Sequence, residues 1–333
     1  MEACGTASRP AATAPFGEIG TLRVAVTDQC DLRCTYCRPV GALQKTTTHG
    51  AADLKALCDQ IEWIHRRTCL GRIKLTGGEP LLHPDLESLI AFLDGLDPRP
   101  ELSLTTNATR LAGRAAGLRE AGLDRVTVSL DTLDPDGYRR LTGGNVKRAL
   151  EGLDAARRAR LVPLKVNAVL RRSSWRDDVP ALLDLAIDLD LEVRFIELMR
   201  TGTAPAWCRA ERIAAHEVRD GLRELSGFAT GPGPRAAGAS PARTERLRWS
   251  GRDVRVGWIE PVSHAFCERC DRLRLHPDGS LARCLMDPQR LDLARLRRDA
   301  GDRDAQRAVR AFLDGKRPAS TMATGWPMAR LGG

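Results

Sequence analysis

Between residues 20 and 199 short apolar runs alternate with helical patterns, and this alternation narrows the fold more than any other feature of the chain. A first strand is expected around Val24 and Val26, a second at 72–75, a third at 102–105 and a fourth at 125–130. Residues 163–170 and 192–198 supply a fifth and a sixth. After the second strand, Leu86, Leu89, Ile90 and Leu93 recur at helical spacing behind Pro84, whose missing N–H costs little near a helix start. Val146, Ala149, Leu150 and Leu153 mark another helix. Strands joined through helices lie parallel, so the predicted class is α/β: a partial (β/α)6 TIM-like barrel with a C-terminal extension.

The strands also have two unlike faces. Val126, Val128 and Leu130 oppose Thr127, Ser129 and Asp131, while Leu164, Val166 and Ala168 oppose Lys165 and Asn167. Arg194 opposes Phe195 in the same way. A closed parallel barrel ordinarily fills both faces with apolar side chains. One polar face therefore predicts a lumen lined with hydrogen-bonding and cationic groups, rather than frayed strand ends.

The expected organisation is an N-terminal leader at 1–19, the barrel at 20–225, a Gly/Pro-rich linker or loop at 226–245, and a C-terminal region at 246–333. Within that last region 246–249 and 253–259 read as a hairpin turned at Ser250-Gly251. The apolar stretch 182–198 is broken by Asp184, Asp188, Asp190, Glu192 and Arg194, so it cannot span a bilayer. The leader has no apolar segment of a secretion signal, and a cytoplasmic protein is expected. The net charge of +9 favours an anionic partner or a solvated basic surface.

Six of the ten cysteines fall in two tight groups, which points to metal rather than a disulfide framework. Cys30, Cys34 and Cys37 stand at C-x3-C-x2-C just after the first strand. Three thiolates in one loop can bind three irons of a cubane and leave the fourth iron open to a ligand. Structural zinc is the rival, but it wants four closed ligands, and His49 is twelve residues past Cys37. Cys267, Cys270 and Cys284 form the second group, with His264 and His276 nearby; this spacing by itself fits zinc and an iron–sulfur cluster alike. Cys4, Cys58, Cys69 and Cys208 stand alone and read as small apolar residues.

The first cysteine spacing resembles the radical S-adenosylmethionine (SAM) superfamily, and Gly77-Gly78-Glu79-Pro80 follows the second strand as that family requires. The two glycines let the backbone approach a ligand closely, and Glu79 can hold an ammonium group. The segment from Phe266 through Leu285 further resembles the second-cluster segment of the molybdenum cofactor GTP 3′,8-cyclases, the MoaA family. So do Thr105-Thr106-Asn107, Val128-Ser129-Leu130-Asp131, Leu141-Thr142-Gly143, Arg194-Phe195-Ile196-Glu197 and the terminal Gly332-Gly333. Two departures stand out: Arg72-Ile73-Lys74 where these cyclases carry Lys-x-Arg, and Asp271 where they usually carry Asn.

The resemblance implies a radical SAM lyase with two [4Fe–4S] clusters, one on Cys30, Cys34 and Cys37 and one on Cys267, Cys270 and Cys284. It assigns Tyr36, Gly77, Gly78, Glu79, Ser129 and Met199 to S-adenosyl-L-methionine. It assigns Arg23, Arg72, Lys74, Thr105, Lys165, Arg194, Arg272 and Arg274 to GTP, with Lys165, Arg272 and Arg274 as catalytic residues. Implied partners are GTP, an electron donor such as flavodoxin or ferredoxin, and the downstream cyclic pyranopterin monophosphate synthase. No membrane or nucleic acid is implied, and a homodimer stays open. Two other readings are a MoaA-like enzyme for another nucleotide or a peptide, and a zinc-stapled nucleic-acid-binding protein without strand–helix repeats.

Overall fold

The computed structural model describes residues 19–37, 51–68, 70–199, 205–226, 229–231, 241–267, 270–287 and 289–315. The predicted alternation takes the form β1 (Thr21–Ala25), α1 (Leu54–His65), β2 (Arg72–Thr76), α2 (Leu86–Asp94), β3 (Glu101–Thr106), α3 (Ala115–Glu120) and β4 (Arg125–Ser129). It continues through α4 (Pro135–Thr142), α5 (Val146–Arg158), β5 (Lys165–Val169), α6 (Trp175–Asp188) and β6 (Glu192–Ile196). These repeats are what a zinc-stapled nucleic-acid-binding protein would lack. Local chemistry sets the helix starts: Asp53, Asp134 and Asn145 each accept a backbone N–H of the first turn, and Pro135 opens α4.

All six strands pair in parallel, and the register confirms two unlike faces. Leu22, Val24, Ile73, Leu75, Leu102, Leu104, Val126, Val128, Val166, Val193 and Phe195 are fully buried on the outer face. Leu86, Leu89, Ile90 and Leu93 of α2, and Val146, Ala149 and Leu153 of α5, are buried with them. Each such large side chain contributes about 1.5–3 kcal/mol on burial. On the other face Arg23 aligns with Lys74, Lys74 with Ser103, and Ser103 with Arg125. Thr127 aligns with Lys165, Lys165 with Glu192, and Asn167 with Arg194. The polar lumen is therefore real.

The C-terminal region does not stand apart from this sheet. After α7 (Pro205–Glu211) and α8 (Ala215–Ser226) come β7 (Ala229–Gly231), β8 (Arg243–Trp249) and β9 (Arg252–Ile259). The β8–β9 hairpin turns at Ser250 (φ 48°) and Gly251 (φ 76°), the conformation that a two-residue turn needs to match strand twist. β9 then lies parallel to β6, and β10 (Arg272–Leu275) lies parallel to β1. β11 (Ser280–Ala282), β12 (Leu291–Asp292) and α9 (Leu293–Asp314) follow.

The sheet order is β12-β11-β10-β1-β2-β3-β4-β5-β6-β9-β8-β7. Six parallel strands were expected from the sequence; β9 and β10 extend that run at both edges. β10 was missed because Arg272-Leu273-Arg274-Leu275 reads first as part of a cysteine motif. The chain from β9 to β10 carries Cys267 and Cys270 from one edge of the barrel to the other. The stretch expected as a linker contains β7 and the first residues of β8, while 232–240 lie outside the described residues. So do leader residues 1–18 and Gly332-Gly333.

Candidate active site

Cys30, Cys34 and Cys37 sit in one loop beyond the end of β1, and that loop is clipped to the end of α4. Arg33 N–H donates to Thr142 O at 2.8 Å and Thr35 N–H to Leu141 O at 3.0 Å. Gly143, at φ 72°, ends the helix in the left-handed region and leaves these last carbonyls to the loop. Leu32 N–H and Asn107 Nδ2 approach Cys30 Sγ at 3.5 and 3.9 Å, as donors to a thiolate would. Burial pushes the Cys30 thiol up to about 12, with Glu79, Cys37 and Asp31 adding to it. Burial also raises Cys34, reinforced by Cys37. Three half-buried thiols in one loop, whose thiolates would repel one another, fit a cluster whose irons would neutralise that charge.

The glycine motif packs directly against this loop. Gly78 N–H donates to Thr27 O at 2.7 Å and Glu79 N–H to Gln29 O at 2.6 Å. A Cβ on Gly78 would lie 2.0 Å from Gln29 O, and one on Gly77 (φ 151°) 2.4 Å from Thr27 O. The close approach that these glycines permit is between two loops of the chain itself, which fixes the thiol loop against the end of β2. Glu79 is buried; its Oε1 accepts Leu81 N–H and Thr106 Oγ1–H, and its Oε2 accepts Asn107 N–H at 2.8 Å. Desolvation outweighs these donors and lifts the carboxyl to about 7.

Tyr36 donates to Asp131 Oδ2 at 2.6 Å, and Asp131 Oδ1 accepts Val169 N–H at 2.8 Å. Trp207 of α7 stacks on Tyr36, with centroids 6.4 Å apart. Neither partner was among the expected site residues, and no spacing in the sequence links Trp207 to Tyr36. Ser129 closes β4 opposite Asn167, and Met199 follows β6; both are half-buried.

Lys74 stands in the lumen with no ion pair among the described residues. Desolvation, then Arg23, Arg125, Arg194 and Lys165, hold its ammonium well below the ordinary range. Arg23 is lowered likewise by burial, Arg274 and Arg272. Lys165 Nζ donates to Glu192 Oε2 at 3.1 Å and Arg194 Nε to Glu192 Oε1, so one carboxylate anchors both cations. Arg125 pairs with Glu101. Glu192 and Arg125 were not foreseen, although both point to the polar face by simple alternation. Thr105 lies on that face opposite Thr127. Thr127 Oγ1 and Asn167 Oδ1 are buried there without a hydrogen-bond partner among the described residues. Arg72 differs from its neighbours: Nε donates to Thr21 Oγ1 at 3.1 Å and a terminal nitrogen to Asp271 Oδ2 at 3.2 Å.

The second thiol group is assembled from two segments. Glu197 Oε2 accepts Val262 N–H and Ser263 N–H at 3.1 and 2.9 Å, and Oε1 accepts Ala215 N–H and Ser263 Oγ–H. This seats the chain just before Cys267. Cys270 N–H donates to Cys267 O at 3.2 Å, and the Arg272 guanidinium lies 4.9 Å over Phe266. Cys270 and Cys284 both act electrostatically on Arg274, so folding has brought them to one place. Arg283 pairs with buried Asp287 and donates to Phe312 O of α9 at 2.9 Å, which fixes the segment at Cys284. His264, weighed as a fourth zinc ligand, faces Glu260 and Ser263 Oγ. Three thiols beside two guanidinium groups suit a cluster with one corner open toward an anion.

A parallel sheet with a polar lumen, a three-thiol loop after β1 and a glycine pair after β2 define the radical SAM class. Residues 24–186 match the Radical SAM superfamily, and residues 191–322 match the family described as Molybdenum Cofactor Synthesis C. The chain is 39% identical over 325 residues to the GTP 3′,8-cyclase of Pelotomaculum thermopropionicum, covering 95% of this chain and 98% of that one. It is 39% identical over 327 residues to the GTP 3′,8-cyclase of Streptomyces coelicolor, covering 96% and 95%. The chain belongs to the GTP 3′,8-cyclase family. Among solved structures, Streptococcus suis SuiB bound to S-adenosylmethionine aligns with a TM-score of 0.61 at 14% identity, over 88% of this chain and 68% of SuiB, a likeness of fold.

Proposed function

We propose that this chain converts GTP to 3′,8-cyclo-7,8-dihydro-GTP, the first step of molybdenum cofactor biosynthesis, as a radical SAM lyase. The observation that carries this reading is Lys74, set among Arg23, Arg125, Arg194 and Lys165 with no carboxylate of its own among the described residues. Like charges crowded into a desolvated space repel one another until a polyanion enters, and a nucleoside triphosphate supplies the opposing charge.

Cys30, Cys34 and Cys37 would hold one [4Fe–4S] cluster, and Cys267, Cys270 and Cys284 the other. When reduced by one electron and with SAM bound, the group held by Cys30, Cys34 and Cys37 would supply reductive SAM cleavage for hydrogen abstraction at C3′ of the ribose. Tyr36, Gly77, Gly78, Glu79, Ser129 and Met199 orient SAM, with Tyr36 held by Asp131 and Trp207. Arg23, Lys74, Thr105, Lys165 and Arg194 bind GTP, and Glu192 keeps the last two cations extended into the lumen. Arg272 and Arg274, on β10 beside the second thiol group, hold the nucleotide where ring closure occurs. The electron comes from a donor of the flavodoxin or ferredoxin kind, and the product passes to cyclic pyranopterin monophosphate synthase.

The test is anaerobic. Reconstituted protein should carry about eight irons under the two-cubane reading. With SAM, reductant and GTP it should form 5′-deoxyadenosine as GTP is consumed. SAM cleavage with GTP untouched would refute the substrate and leave the radical class, in favour of another nucleotide or a peptide. Bound zinc without iron would refute both.

A further inference from the structure

Asp271 is a carboxylate in a cationic neighbourhood, between Cys270 and Arg272. Its placement is heavily specified. Oδ2 accepts Arg72 at 3.2 Å and Thr21 Oγ1–H at 3.3 Å, and Arg72 Nε also donates to Thr21 Oγ1 at 3.1 Å, which closes a triangle. Asp271 O accepts both Gly20 N–H and Thr21 N–H, so the backbone is fixed as well. A Cβ on Gly20 would lie 2.6 Å from Oδ2, so a larger residue there would push the carboxylate out of its present position. Oδ1 is buried without a partner among the described residues, and the Asp271 side chain is 16% exposed against 35% for Arg72.

Register explains what the triangle joins. Thr21 of β1 aligns with Arg72 of β2 on one side and with Arg272 of β10 on the other. The pair therefore reaches across β1 and ties the start of β10, with the thiol segment before it, to β2. A guanidinium can bond Thr21 and Asp271 at once through separate nitrogens; an ammonium lacks that fork. Two residues further along β2, Lys74 has no such carboxylate among the described residues. The two cations of one strand thus have different tasks.

We propose that Arg72 is a positioning residue that neutralises Asp271 and locks it to β1, letting the segment of Cys270, Arg272 and Arg274 face a polyanion, and that Arg72 does not itself bind the phosphates. This rests on the GTP reading only for the choice of anion.

The test is a double-mutant cycle on the anaerobically reconstituted full chain. GTP Kd is measured by equilibrium dialysis without SAM, and the midpoint potential of the second cluster without nucleotide. Arg72→Gln should weaken GTP binding about tenfold, because it strands a carboxylate beside the anion. Asp271→Asn, which keeps an acceptor for Arg72, should bind GTP at least as tightly as the parent. The Arg72→Gln/Asp271→Asn protein should recover to within about threefold of the parent. The cluster potential should fall in Arg72→Gln and recover in the double variant, since nearby negative charge favours the oxidised cluster. A double variant as weak as Arg72→Gln would show that Arg72 touches the phosphates and overturn the proposal. Where Arg72→Gln fails to load iron, Asp271→Asn alone decides, and weaker binding by it overturns the proposal. A parent that binds no GTP refutes the substrate reading instead; the potentials then decide, and equal values in parent and Arg72→Gln overturn this one.

Discussion

Glu79 gathers three donors from three different residues onto one buried carboxylate, and still its carboxyl is lifted to about 7 from an ordinary 4.5. Desolvation is the larger effect, because the folded chain has placed the group where water cannot reach it. A folded-state value above the unfolded one means that the native chain holds a proton the unfolded chain has released between pH 4.5 and 7. This contribution to stability is complete below 4.5 and is lost as pH rises through 7. Glu79→Gln stays neutral throughout, so its unfolding free energy should gain on the parent by of order 3 kcal/mol between the two ends of that window. Urea unfolding of both proteins at pH 5 and pH 8 measures it; a gap that does not change with pH would assign the shift elsewhere. The string Gly77-Gly78-Glu79-Pro80 was legible as a motif, but not that its glycines serve the thiol loop and its glutamate the end of β3.

At the scale of elements, short connections place the chemistry. The end of α4 offers Leu141 O and Thr142 O to the first thiol loop, which gives the Leu141-Thr142-Gly143 string a mechanical purpose. Glu197, just past β6, does the same for the second group by fixing Val262, Ser263 and the start of α8. Its carboxyl is pulled below the usual range, since these hydrogen bonds outweigh the opposing effect of burial. Glu197→Ala should therefore release the segment before Cys267 while leaving the first loop in place. Iron after reconstitution should drop from about eight toward about four per chain, with SAM-dependent signals of the first cluster retained. Equal loss from both sites would mean that Glu197 supports the barrel rather than the second thiol group. Alternation predicted the strands, yet β10 escaped it, because a four-residue strand of Arg-Leu-Arg-Leu gains its identity only by pairing with β1.

For the whole molecule, one charge pattern follows from the parallel sheet. Apolar side chains go out to the helices, and cations that are spread from Arg23 to Arg274 along the chain converge inside. Their mutual repulsion opposes folding, and an anion bound among them relieves it. Inorganic triphosphate at 100 times its Kd should stabilise the folded chain by about 2.7 kcal/mol. The rise in Tm should shrink as salt approaches 1 M, where the screening length is about 3 Å, and Lys74→Met should remove most of it. A Tm rise that is indifferent to both salt and Lys74 would place the anion outside the lumen.

The sequence alone determined what is periodic or contiguous. Strand alternation, helix faces, the C-x3-C-x2-C loop and the glycine motif are each written in a few consecutive residues, because backbone geometry repeats every 2 or 3.6 positions. Their resemblance to known cyclases was legible for the same reason. What only the tertiary structure decided are the meetings between distant residues. Asp271 meets Arg72 across β1, Tyr36 meets Asp131 and Trp207, and Lys165 and Arg194 share Glu192. The run from β9 to β10 joins the two ends of the parallel part of one sheet. Such contacts leave no local pattern, since a hydrogen bond or ion pair depends on distance in space and not on separation along the chain. Arg72 and Asp271 read separately as two departures from a family pattern; the fold makes them a single ion pair.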